Sequence, residues 1–136
     1  MPWVVDTCLV LDVLEDDPRF GARSARLIDS RLAQGVVICP VTFVELAPAF
    51  GGDLERQRHF LAKVGIALDE GWQEPDTLSA FVAWHKHVTR RRAKVVPKRP
   101  LADILIGAFA LRFRGLLTRN PADFRAPFPS LTLVEP

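Results

Sequence analysis

Four acidic residues interrupt or end apolar stretches of this chain, and such a set suits one kind of chemistry. Asp6 follows Trp3-Val4-Val5, and Glu45 sits inside Val41-Thr42-Phe43-Val44-Glu45-Leu46. Asp103 sits inside Pro100-Leu101-Ala102-Asp103-Ile104-Leu105-Ile106, and Asp123 comes just after Gly115-Leu116-Leu117-Thr118. A carboxylate in apolar surroundings is costly unless a cation or hydrogen-bond donors meet it. Four along one chain point to a shared divalent metal, and clustered carboxylates without one would repel each other. Mg²⁺ and Mn²⁺ take oxygen ligands and keep several waters, so a few carboxylates suffice. Such an ion acidifies water and neutralises charge building on phosphorus, which points to hydrolysis of a phosphodiester.

The elements that must position these acids are legible as an alternation. Residues 2–5 read as a short buried strand, followed by a helix around Cys8–Asp16 that Pro18 closes. Phe20–Gln34 carries Ala25, Leu27, Ile28 and Leu32 near helical spacing, and Gly35 ends it. Val36–Cys39 reads as a second strand, Pro40 opens the helix of Glu45, and Pro48 falls in or kinks that helix. After Gly51-Gly52 come a helix over Leu54–Val64 and an edge strand at Ile66–Leu68. Glu74–Arg92 reads as a long helix with Leu78, Phe81, Val82, His85 and Val88 on one face. Val95–Pro100 reads as a loop, Leu101–Phe113 as a buried helix, and Gly115–Thr118 and Leu131–Val134 as strands. Strands alternating with helices predict a three-layer α/β/α sandwich with a mainly parallel sheet.

In a parallel sheet the strand C-termini share one edge, where ligands bind. That topology puts Asp6, Glu45 and Asp123 at the same edge, and Asp103 joins them if its helix starts there. Each acid also has a local explanation. Asp6 suits a helix N-cap, and Thr42-Phe43-Val44-Glu45 matches a capping box in which Glu45 bonds the Thr42 amide. Asp103 suits the positive end of a helix, and Asp123 the close of a turn. The joint placement favours the metal reading.

With 136 residues, 49% of them hydrophobic, the chain is long enough for a single α/β domain spanning 1–136. No apolar run approaches the roughly 20 residues that span a bilayer. The start lacks a secretory pattern, and Cys8 and Cys39 read as reduced, buried residues, so a cytoplasmic setting is expected. Residues 77–102 hold seven of the 18 bases and none of the 16 acids. This tract, Lys86, Arg90, Arg91, Arg92, Lys94, Lys98 and Arg99, reads either as a solvated helix end or as a strip for a polyanion. Of the histidines, His85 reads as core-edge, His87 lacks a completing ligand set, and His59 reads as surface. Gly51-Gly52 lacks the lysine of a phosphate loop and reads as a turn.

Four segments, in order, resemble the motifs of PIN-domain proteins. They are Val4-Val5-Asp6-Thr7, Val41–Leu46, Arg99–Ala108 and Leu116-Leu117-Thr118-Arg119-Asn120. The length and the ending Phe128–Val134 resemble the VapC-type toxins among them. The resemblance implies a metal-dependent endoribonuclease using Mg²⁺ or Mn²⁺, paired with a small antitoxin and typically dimeric. It places Asp6, Glu45 and Asp103 as metal ligands and Thr118 as a supporting hydroxyl, with Thr7 beside Asp6. Many relatives carry an acid where this chain has Asn120, so the fourth ligand is either Asp123 or Asn120. The basic tract would then hold RNA.

Three rivals follow from the same residues. A phosphoryl-aspartate hydrolase would want an acid where Cys8 stands. A phospho-receiver would want an aspartate after the 36–39 strand. A catalytically silent nucleic-acid binder is suggested by Asn120.

Overall fold

The computed structural model describes residues 1–92 and 101–136, so the predicted loop 95–100, with Lys98, Arg99 and the Arg99-Pro100 part of the third motif, falls outside, as does Lys94. Strand β1 is Trp3–Val5, and helix α1 is Thr7–Leu14. Helix α2 is Gly21–Arg31, β2 is Val36–Val37, and α3 is Pro40–Glu45. A 3₁₀ turn at Ala47–Phe50 precedes α4, Leu54–Val64, and β3, Ile66–Ala67. Then come α5, Glu74–Arg92, and α6, Leu101–Ala110. The chain ends with β4, Leu116–Leu117, α7, Ala122–Arg125, and β5, Leu133–Val134.

The five strands pair in the order β3-β2-β1-β4-β5, and every pairing is parallel. Ile66-Ala67 is an edge strand, as its sequence suggested. Successive strand residues face two apolar layers, so the strands are apolar throughout. Val4 and Leu116 point into a core with α5, α6 and α7, while Val5 and Leu117 point into one with α1, α2 and α4. The fold is therefore the expected three-layer sandwich, with β1 at its centre. Helices α4 and α5 have the expected bounds, whereas α2 is shorter and α6 stops at Ala110, with residues 111–113 turning toward β4.

Three local readings need correction. Pro48 does not kink the helix of Glu45; α3 ends first, and Pro48 lies in the separate 3₁₀ turn. The capping box is absent too. Pro40 starts α3 with Cys39 as N-cap, so Glu45 is its last residue and no side-chain cap forms.

The third correction concerns α5. Its buried face is Asp76, Ala80, Ala83 and His87. Leu78, Phe81 and Val82 are 59%, 73% and 50% exposed, and His85 is exposed as well. Two forces rotate the helix away from its larger apolar residues. Ala80 and Ala83 let α5 approach the small and aromatic residues of α6. Asp76 is pulled inward by Arg112, whose Nε and Nη2 donate to Oδ1 at 2.6 Å and Oδ2 at 2.9 Å.

Among the described residues, no helix is long and apolar enough to cross a membrane.

Candidate active site

Asp6 occupies the first position past β1, where its backbone N–H still donates to the Leu117 carbonyl of β4 at 2.9 Å. Its extended backbone, φ −73° and ψ 152°, makes it the N-cap of α1. Oδ1 accepts the Thr7 N–H at 2.8 Å. Oδ2 accepts the Thr118 hydroxyl at 2.8 Å and lies 3.4 Å from the Cys8 thiol. The Asn120 N–H donates to Thr118 Oγ1 at 3.0 Å, which leaves the Thr118 proton aimed at Asp6. Asp6 therefore caps α1 with one oxygen while the other accepts from Thr118.

Thr7 joins this group to the second acid. Its hydroxyl donates to Glu45 Oε1 at 2.7 Å and stands 3.1 Å from Thr42 Oγ1. Glu45 is exposed at the end of α3, whereas Asp6 is 6% exposed. Burial raises the Asp6 pKa, the bonds from Thr118, Cys8 and Thr7 oppose that rise, and the Glu45 charge adds to it. The carboxylate is thus held in place by donors yet still short of positive charge.

The thiol beside it is a weak donor, not a nucleophile. Burial, then the Asp6 charge, pushes the Cys8 pKa to about 12. Cys8 is only partly buried, whereas Cys39 is fully buried, with its thiol pushed to about 11, chiefly by burial. Both cysteines are free, as expected.

Among the residues expected to act, Asp6, Glu45, Thr7 and Thr118 come together, and Asn120 joins through its backbone. Asp103 stands half-buried in the first turn of α6, a helix packed against α3. Asp123 is exposed in the first turn of α7, and among the described residues no polar contact ties it to Asp6, Glu45 or Thr118. Lys86, Arg90, Arg91 and Arg92 are exposed along the second half of α5. The described residues contain no group of three or more His, Cys, Asp or Glu side chains arranged to hold a metal. The oxygen donors that do converge, two carboxylates and nearby hydroxyls, fit a hard cation that takes one or two carboxylates and keeps its waters.

Sequence reasoning missed two polar features. Asp12 is buried within the apolar α1 run Leu9–Leu14, where Oδ2 accepts the Ser24 hydroxyl at 3.0 Å and Oδ1 lies 3.4 Å from Arg119 Nη2. The signal that singled out Asp6, an acid in apolar sequence, was equally present at Asp12. The Asp76–Arg112 pair had no local signal, because 36 residues separate its members.

Two solved structures share this fold over nearly the whole chain. One is VapBC2 from Rickettsia felis bound to a DNA fragment from their promoter, at 15% identity and a TM-score of 0.65. The other is VapBC-1 from nontypeable Haemophilus influenzae, at 18% identity and a TM-score of 0.67. Each alignment covers 99% of this chain and 98% of the other. At such identities the likeness speaks for the fold, the PIN-like α/β architecture. No family model matches the sequence, and no curated protein matches it.

Proposed function

We propose that this protein is a Mg²⁺- or Mn²⁺-dependent endoribonuclease of the VapC toxin type, acting as one domain over residues 1–136. The observation that carries the reading is the Thr118–Asp6–Thr7–Glu45 network at the C-terminal edge of a parallel sheet. The whole-length fold likeness to two VapBC structures supports it. A cytoplasmic setting, a small antitoxin and a second copy of the chain belong to the same reading. Exposed Leu78, Phe81 and Val82 form an apolar ridge of the sort a protein partner covers.

In this account Asp6 and Glu45 are the principal metal ligands. Asp103, and either Asp123 or Asn120, complete the set by movement or through water. A bound ion there supplies acidified water and offsets charge on the phosphorus. The chain's own residues do the rest. Thr118 and the Thr7 N–H fix the plane of the Asp6 carboxylate, and the Thr7 hydroxyl fixes Glu45. Bases among Lys86, Arg90, Arg91, Arg92, Lys94, Lys98 and Arg99 hold the RNA backbone.

Cleavage of a mixed RNA pool with Mn²⁺ and with EDTA tests this directly. Metal-dependent fragments are expected; binding without cleavage would favour a silent nucleic-acid binder. Thr118→Val keeps the shape of a fully buried side chain but removes the donor to Asp6. Its cleavage rate is expected to fall about 10- to 100-fold, as for other residues that orient a metal ligand. A rate within twofold of wild type would show that Thr118 does not orient Asp6.

A further inference from the structure

Arg19 and Arg23, close to Phe20 in sequence, and Arg119, about a hundred residues on, converge on the Phe20 ring. The guanidinium carbons of Arg119, Arg19 and Arg23 lie 4.7, 5.1 and 5.7 Å from the centre of the Phe20 ring. Each cation is drawn to the ring face, but three like charges gathered there also repel one another. Two acids offset part of this repulsion, Asp17 near Arg19 and Arg119, and Asp12 near Arg119. Asp17 Oδ1 accepts the Arg19 and Phe20 backbone N–H groups at 2.9 and 2.8 Å. Asp12 is buried against Ser24 and meets Arg119 only at 3.4 Å.

The guanidinium groups still have capacity. Arg119 Nε is buried and out of a strand's reach, but its side chain is 32% exposed. Arg19 and Arg23 are exposed, and Arg23 spends one N–H on the Pro136 carbonyl at 3.0 Å. The cluster also adjoins the acid site, because Arg119 lies between Thr118, which donates to Asp6, and Asn120, which orients Thr118.

We propose that Arg19, Arg23 and Arg119, gathered on Phe20, form a phosphate-binding subsite for a single-stranded RNA beside the acid pocket. Aromatic rings flanked by arginines suit such strands, with guanidinium groups taking phosphates. The inference deepens the ribonuclease reading by giving the strand a path on the β4 side of Asp6. It rests on that reading for the identity of the strand.

The test is binding of a fluorescein-labelled RNA oligonucleotide in EDTA, measured as a function of salt. Wild type is expected to bind with a steep salt dependence. Arg19→Gln/Arg23→Gln removes two exposed cations and should reduce the log–log slope by about 1.4, at 0.7 per phosphate contact on a single strand. Carried over the decade from 1 M to 0.1 M salt, that is roughly a 25-fold loss at 0.1 M. Phe20→Leu keeps every charge and should weaken binding roughly two- to fivefold by dispersing the cluster. An unchanged slope in the double variant overturns the subsite. So does wild type that binds no RNA. Salt-dependent binding that the double variant loses, without Mn²⁺-dependent cleavage by wild type, keeps the subsite and sinks the ribonuclease reading.

Discussion

Asp6→Asn is expected to fold, to melt above wild type in metal-free buffer at pH 7, and to cleave RNA at least about a thousandfold more slowly. The rate loss follows from removing a carboxylate asked to anchor the metal, a contribution of several kcal/mol to the transition state. The stability gain follows from the sign of the Asp6 shift. Burial raises its folded pKa above the ordinary 3.8, so between those values the folded state holds more protons than the unfolded one. Stability is therefore lost as pH rises through that window, and the full penalty applies above it. Asn cannot ionise and escapes the penalty, so its advantage should vanish below about pH 3.8. Mn²⁺ should then raise the melting temperature of wild type but not of the variant. Melting curves at pH 7 and pH 3.5, with cleavage rates, check both halves. A variant less stable at pH 7 than at pH 3.5, relative to wild type, contradicts the electrostatic account.

Asp76→Ala is expected to have the opposite profile, a large loss of stability with chemistry intact. Asp76 is 1% exposed, and it accepts two bonds from Arg112 and the Gln73 N–H at 2.9 Å. Removing one member of a buried pair strands the other charge. Arg112 would keep the Gly71 carbonyl and the Phe109 and Phe113 rings, but not a counter-charge. Because the Arg112 side chain is 20% exposed, water softens the loss to about 3 kcal/mol, or roughly 12 °C in Tm. Thermal unfolding measures this; the cleavage rate per folded molecule should stay within twofold of wild type. A Tm within 3 °C of wild type would show the pair contributes little.

The two variants show why some of the protein is legible in its sequence and some is not. The parallel sandwich could be read because short apolar runs alternate with helical patterns, with Gly35, Gly65 and Gly115 each just before a strand. Asp6 stood out because a charge inside such a run must be met by something, and Thr118 and Thr7 meet it, whereas Glu45 stays exposed. Asp123 shows the limit of that rule, since ending a strand does not aim a side chain, and α7 turns it to solvent. The α5 face was misread because periodicity favours Leu78, Phe81 and Val82, whereas close packing and an ion pair favour Ala80, Ala83 and Asp76. In the Phe20 cluster Arg19 and Arg23 neighbour the ring in sequence, but Arg119 reaches it only when β4 lies beside β1.

The central claim is that Asp6 and Glu45, bridged by Thr7, hold a divalent cation. Calorimetric titration of Mn²⁺ into wild type, Asp6→Asn, Glu45→Gln, Asp103→Asn and Asp123→Asn addresses it most directly. The account predicts saturable binding by wild type, its loss in Asp6→Asn, and a reduction of about 10- to 100-fold in Glu45→Gln. Saturable binding that survives unchanged in both Asp6→Asn and Glu45→Gln would contradict it.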